Sequence, residues 1–320
     1  MFLAFLLLVV GFVILIKGAD FLVAGSASIA KKSNISNLTI GLTVVAFGTS
    51  SPELLVNVLS SVKGYNDAAF GNVIGSNIFN LLLILGVAGL IYPLVVHRNT
   101  VSYEVPLSLL AAIILFILVN DNLLFGNPDN SLSRVDALIL LAFFGLFMFY
   151  ITRTMKDGPG GDEGEPIKLY RTGVSVFYVI LGLAMLVGGG SLAVENAVAI
   201  ARQYGLSEKL IGLTILAAGT SLPELATSAV AAYRKNTDIA IGNVVGSCIF
   251  NIFLILGITA AIKPLPYNTA LNFDIYILGG STVLLMIFMF TLNQRKLDRW
   301  EALIMFLSYI AYTIVLMGME

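Results

Sequence analysis

Two stretches of this chain superimpose without a gap at an offset of 171 positions. Ile40-Gly41-Leu42-Thr43 falls on Ile211-Gly212-Leu213-Thr214, Gly48-Thr49-Ser50 on Gly219-Thr220-Ser221, and Pro52-Glu53-Leu54 on Pro223-Glu224-Leu225. The register continues through Gly71-Asn72-Val73 with Gly242-Asn243-Val244, Ile78-Phe79-Asn80 with Ile249-Phe250-Asn251, and Pro93 with Pro264. About half the positions from Ser36 to Gly86 are identical to their partners. Shared leucine content would not keep Gly, Pro, Asn and Glu in step. One structural unit is therefore present twice.

That unit is built for lipid. Of the 320 residues, 58% are hydrophobic and only 12% charged, with a mean hydropathy of +0.94. Apolar stretches fall near 2–30, 36–62, 68–92, 101–119, 134–152, 173–201, 207–233, 239–262, 270–291 and 299–317. Each is long enough to cross a bilayer, which takes about 20 residues. The first has no basic residue ahead of it and recurs around 189–201, so it reads as a spanning helix and not as a cleaved signal. The one clearly polar connection contains Gly158-Pro159-Gly160-Gly161-Asp162-Glu163-Gly164-Glu165-Pro166, which resists helix and cannot enter hydrocarbon. The expected organisation is a first repeat over 1–153, a linker over 154–171 and a second repeat over 172–320. The expected fold is an all-α polytopic membrane protein of ten transmembrane helices.

Five spans per copy is an odd number, so the second copy must enter the membrane inverted. Loop charge tests this. With Lys17 left unassigned inside the first span, one side collects twelve Lys and Arg and the other five. The richer side holds the linker, which is expected in the cytoplasm, with both termini outside and the plasma membrane as the location.

Glu53 and Glu224 each follow a proline within an apolar span of about 25 residues, near mid-membrane. An ionisable group there costs several kcal/mol and marks a functional site by default. Oxygen donors surround both. Thr49 and Ser50 precede Glu53, and Thr220 and Ser221 precede Glu224; Thr49 with Glu53 and Thr220 with Glu224 are four apart, on one helix face. Pro52 and Pro223 lack an N–H, which frees the carbonyls of Gly48 and Gly219. Freed carbonyls in a broken helix are a common way to hold cations. Ser76 with Asn80 and Ser247 with Asn251 form further i,i+4 pairs, beside Gly75 and Gly246, which permit close backbone approach. Asn72 and Asn243 lie nearer their helix starts and read as caps or interfacial groups. Cys248, where the first copy has Asn77, reads as a small packing residue.

This set has carboxylates, hydroxyls and amides but neither thiolate nor imidazole, and such hard oxygen ligands suit Ca²⁺, Mg²⁺ or Na⁺. One His and one Cys supply neither a nucleophile–base set nor a zinc site, so an enzyme is not expected. A net charge of −1 offers no nucleic-acid footprint. The expected partners are the lipid bilayer and the ions themselves, with no cofactor, and the chain is read as a monomer.

The two Gly-Thr-Ser-x-Pro-Glu motifs, each followed by Gly-Asn-Val-x-Gly-Ser, resemble the two α-repeats of the sodium/calcium exchanger family, within the cation/calcium exchanger superfamily. The resemblance covers nearly the whole chain. It implies that Glu53 and Glu224 are shared acidic ligands of Ca²⁺ and Na⁺. Thr49, Ser50, Thr220 and Ser221 would add hydroxyl or backbone oxygens, Ala46 and Ala217 carbonyls. Ser76 and Ser247 would contact Na⁺, and Asn80 and Asn251 would complete the centre. It also implies that the first and sixth helices slide across the rest. Ser51 departs from the commoner leucine seen at Leu222. Asn251 stands where several microbial and potassium-dependent relatives carry Asp, which argues against potassium dependence. The expected activity is electrogenic exchange of about three Na⁺ for one Ca²⁺, the ratio again from the resemblance. A Ca²⁺/H⁺ exchanger and a passive cation channel are the alternatives.

Overall fold

The structure, a computed structural model, describes residues 2–96, 100–126, 129–154, 168–204, 217–290 and 295–318. Eleven helices organise them: α1 (Phe2–Lys32), α2 (Asn37–Thr49), α3 (Ser51–Lys63), α4 (Asn66–Ile91), α5 (Thr100–Val119), α6 (Arg134–Arg153), α7 (Thr172–Gln203), α8 (Leu222–Tyr233), α9 (Thr237–Ile262), α10 (Thr269–Phe290) and α11 (Arg299–Gly318). Among the described residues eight of these are long and apolar enough to cross a membrane, or nine when α2 and α3 count as one bent span. The chain is an all-helical membrane protein. Part of the stretch expected as a span at 207–233 lies outside the described residues, as does most of the expected linker, 155–167.

Leu and Phe side chains are exposed along the outer faces of α1, α6, α7 and α11, as in Phe5, Leu138, Phe177 and Leu307. Exposed apolar rows of this kind are the lipid-facing surface of a membrane protein. Helix association in lipid cannot draw on the hydrophobic effect and uses close packing instead. The contact between α1 and α7 illustrates this. A Cβ added at Gly18 would lie 2.9 Å from the carbonyl of Gly182, and one at Gly182 would lie 2.7 Å from the carbonyl of Gly18. The two backbones touch there, a distance only glycine permits.

α4 and α9 are the most enclosed helices, and both leave α-geometry at the same place. The segments Phe79–Ile84 and Phe250–Leu256 are π-helical, each containing the asparagine of its copy, Asn80 or Asn251. A π-turn often marks a functional position because it re-aims the side chains of one turn. Outside the helices, β1 (Leu94–Val95) pairs antiparallel with β4 (Lys296–Leu297), and β2 (Ser131–Leu132) with β3 (Leu265–Pro266). Each ribbon thus clips a loop of one half of the chain to a loop of the other. α3 ends at Gly64, whose φ of +84° makes the left-handed turn that stops a helix. Lys235, its partner at an offset of 171, adopts the same turn at φ 59°.

Candidate ion-binding site

The site is assembled where two helices are interrupted. Ser50 sits between α2 and α3 with φ −84° and ψ 5°, and the helices on either side meet at 44°. Ser221 has nearly the same angles, −91° and 7°, just before α8. Pro52 and Pro223 occupy the first turn of the helix that follows each break. Proline is tolerated there because an N–H in that turn has no intrahelical carbonyl to bond. The break gives both serines and both glutamates a place at a helix start, deep among packed helices.

Hydrogen bonds then cross from one copy to the other. The Ser50 hydroxyl donates to Glu224 Oε1 at 2.9 Å. Ser221 Oγ lies 3.2 Å from Glu53 Oε1 and 3.0 Å from Ser76 Oγ, bridging the two. Thr49 Oγ1 is 3.0 Å from Asn243 Oδ1, and Thr220 Oγ1 is 3.2 Å from Asn72 Oδ1. Every one of these contacts has a partner at an offset of 171 except the Ser76 one. Glu53 and Glu224 are buried to 1% exposure, and so are brought into a single enclosed cluster.

Among the described residues, several oxygens in that cluster have no hydrogen-bond partner. They are Glu53 Oε2, Glu224 Oε2, Ser247 Oγ, Asn251 Oδ1 and Asn80 Oδ1. Buried polar atoms are nearly always paired, and an unpaired one costs about 1–3 kcal/mol. The Ser50 and Ser221 hydroxyls that hydrogen-bond the two carboxylates are neutral and do not cancel charge. A cation among these oxygens would satisfy both needs, and the donor set fits a hard ion.

Of the twelve residues expected at the site, Glu53, Glu224, Thr49, Ser50, Ser221, Ser76, Ser247, Asn80 and Asn251 are all buried. Thr220 is half-buried. Ala46 is buried too, but its carbonyl already accepts from the Ser50 N–H at 3.0 Å. Ala217 opens a short helical turn, Ala217–Gly219. Gly246 makes the expected close approach, since a Cβ there would lie 2.8 Å from that of Ala46. The equivalent neighbours of Gly75 would include positions 213 and 217; 213 lies outside the described residues, as does the side chain of Ala217.

Two expectations need correction. Thr49 does not turn toward Glu53, because the break at Ser50 interrupts the helical face they would share; it faces Asn243 instead. Asn72 and Asn243 are neither caps nor interfacial. Asn243 is fully buried, donates to Ser228 Oγ at 2.9 Å and to the Glu224 carbonyl at 3.3 Å, and so braces the strand of groups behind the glutamate. Asn72 donates to Asn57 Oδ1 at 2.7 Å, and Asn57 in turn to the Ala69 carbonyl at 3.1 Å. Asn57 and Ser228, which take part in these contacts, are not among the residues the sequence points to. Their offset of 171 was a usable signal, but they differ in residue type, and an identity search passes over them.

The description "Sodium/calcium exchanger protein" belongs to the family that matches residues 3–153 and 174–318. The chain is 36% identical over 324 residues to the putative antiporter CaxA of Alkalimonas amylolytica, covering 99% of each. It is 32% identical to the sodium/calcium exchanger MaX1 of Methanosarcina acetivorans, covering 98% of each. A solved structure of the sodium-calcium exchanger NCX_Mj superimposes with a TM-score of 0.82 at 32% identity, over 98% of this chain and 99% of that one. With both halves matched and relatives aligned end to end, the chain belongs to the sodium/calcium exchanger family.

Proposed function

We propose that this protein is an antiporter that exchanges Na⁺ for Ca²⁺ by alternating access, with one site built from both halves of the chain. The observation that carries this reading is the crossed pair of bonds, Ser50 to Glu224 and Ser221 to Glu53, around two carboxylates whose second oxygens have no partner among the described residues. Glu53 and Glu224 are the charged ligands. Thr49, Ser50, Thr220, Ser221, Ser76, Ser247, Asn80 and Asn251 supply neutral oxygens, with backbone carbonyls of Ala46 and Ala217 completing the shell. The chain crosses the membrane ten times as two inverted five-helix repeats, 1–153 and 172–320, joined by a cytoplasmic linker with both termini outside.

Charge sets the coupling. Two ionised glutamates give the site −2, which one Ca²⁺ or two Na⁺ neutralise. Ca²⁺ and Na⁺ have similar radii, so one oxygen cage takes either in turn. A third Na⁺ leaves a net +1 and makes the cycle electrogenic, at about three Na⁺ per Ca²⁺ by the family resemblance. Two buried, uncompensated carboxylates are costly to bring together. The site therefore discharges one cation only as it takes up another, which is the requirement for exchange without leak. Uptake of ⁴⁵Ca²⁺ by proteoliposomes under an outward Na⁺ gradient tests this. Saturable, Na⁺-dependent uptake that shifts with membrane potential is expected, and Glu53→Gln and Glu224→Gln should abolish it. Uptake untouched by either substitution would refute the site; uptake that never saturates would point to a channel.

A further inference from the structure

Asn77 has no role in the site as described, yet it controls which way one of the site amides faces. It is fully buried, and its Nδ2 donates to the backbone carbonyl of Cys248 at 3.1 Å. A backbone carbonyl can only accept, so the contact determines how the Asn77 amide is turned, with Oδ1 away from Cys248. That Oδ1 accepts from Asn251 Nδ2 at 2.9 Å. The constraint passes on one step further. With its nitrogen committed to Asn77, Asn251 turns Oδ1 the other way, where it has no hydrogen-bond partner among the described residues. One backbone atom thereby removes the ambiguity that normally attends an asparagine amide.

The other copy lacks this device. Position 248 is the partner of Asn77 and carries Cys. The thiol makes the equivalent contact to the Asn77 carbonyl, at 3.9 Å, but has no amide oxygen with which to receive Asn80. Asn80 sits beside that thiol, whose sulfur is only a weak hydrogen-bond partner, and neither of its amide atoms has a partner of normal geometry among the described residues. Two side chains that match in sequence are thus held differently: Asn251 by an amide oxygen, Asn80 by no more than a weak sulfur contact.

We propose that Asn77 is a positioning residue that holds Asn251 with its amide oxygen toward the transported cation. This rests on the exchange reading above. A pinned oxygen avoids the cost of orienting the ligand when the ion arrives. Ca²⁺ requires six to eight oxygens and is most sensitive to losing a ready one. The weaker hold on Asn80 suits a site that must also re-form around Na⁺.

The test is Na⁺-driven ⁴⁵Ca²⁺ uptake by the full chain in proteoliposomes, read as KM and maximal rate separately. A parent protein with no Na⁺-coupled uptake overturns the exchange reading and the proposal with it. With an active parent, Asn77→Ala should raise the Ca²⁺ KM about three- to tenfold, the worth of one buried hydrogen bond, with little change in maximal rate. Asn77→Cys should do the same with a side chain that the other copy already accommodates. Adding Cys248→Asn to Asn77→Cys moves the preset amide to the Asn80 side and should bring KM back to within about twofold of the parent. A packing role alone would leave that double variant as impaired as Asn77→Cys. An unchanged KM in Asn77→Ala, or no recovery in the double variant, overturns the proposal.

Discussion

The hydroxyl of Ser50 donates to Glu224 Oε1 across 2.9 Å, so the residue that interrupts one copy's helix holds the carboxylate of the other. Ser221 reaches Glu53 at 3.2 Å in the same way. A hydrogen bond to a charged acceptor contributes about 1.5–3 kcal/mol, so Ser50→Ala and Ser221→Ala should each weaken Ca²⁺ binding at least about tenfold. The pattern across double variants is the sharper check. Ser50→Ala should add almost nothing on a Glu224→Gln background and its full effect on Glu53→Gln. Calorimetric Ca²⁺ titration of detergent-solubilised protein reads both, and the reverse pattern would mean that each serine serves its own copy's glutamate.

The α1–α7 contact is a second place where structure makes an uneven demand. Gly182 lies against the backbone of α1, with a Cβ there only 2.7 Å from Leu22 N and from the Gly18 carbonyl. Overpacking of this kind costs about 1–3 kcal/mol, and backbone cannot move aside as a side chain can. Gly182→Val should therefore lower the melting temperature in detergent by several degrees and slow transport. Gly145, in α6, has nothing within 4 Å of an added Cβ among the described residues. Gly145→Ala should leave both readouts unaltered, so equal damage from the two would remove the backbone contact as the explanation.

Much of this arrangement is legible in the amino-acid sequence. The offset of 171 marks Glu53 with Glu224 and Ser50 with Ser221 because those residues are identical and conspicuous in apolar helices. What the offset does not carry is direction across space. Nothing in the string says that Ser50 serves Glu224, because that depends on how the breaks in the two helices face each other. The Asn72 and Asn243 contacts were hidden for a related reason. Their distance from the helix starts is a property of one helix, whereas their partners, Thr220 and Thr49, come from the other half of the chain. The π-turns at Asn80 and Asn251 carry no residue signature at all, since Leu, Ile and Phe fill them as they fill ordinary helix.

Asp20 of α1 pairs with Arg234 at the end of α8, and both are about one-third exposed. The positions related to them by the offset of 171 are Ser191 and Lys63, which cannot form an ion pair. The helices follow the same asymmetry: α1 packs along α8, while α7 and α3 barely meet. Leu55 of α3 is 61% exposed where its partner Ala226 of α8 is 7% exposed. The pair lies on the face where α1 covers α8 and should favour that packing. An ion pair this exposed contributes up to about 1 kcal/mol, so Asp20→Asn should raise the open population of that face by up to about fivefold. Labelling of Ala226→Cys by a water-soluble maleimide, in a Cys248→Ser background, reads that population. Asp20→Arg combined with Arg234→Asp should restore slow labelling, and fast labelling in that charge swap would discount the pair.

The driving ion is separated by pH. Carboxylate ligands bind a metal ion only when deprotonated, so protons compete with both Ca²⁺ and Na⁺ at Glu53 and Glu224. In a Na⁺/Ca²⁺ exchanger, Na⁺-driven uptake should fall as pH is lowered, rise as pH is raised, and level off once both carboxylates stay ionised. Competition of this sort changes rate without supplying energy. Vesicles acidic inside and free of Na⁺ should therefore take up no ⁴⁵Ca²⁺ beyond the background of empty liposomes. In a Ca²⁺/H⁺ exchanger the same proton would be the counter-ion, and the acidic interior would drive Ca²⁺ inward with no Na⁺ present.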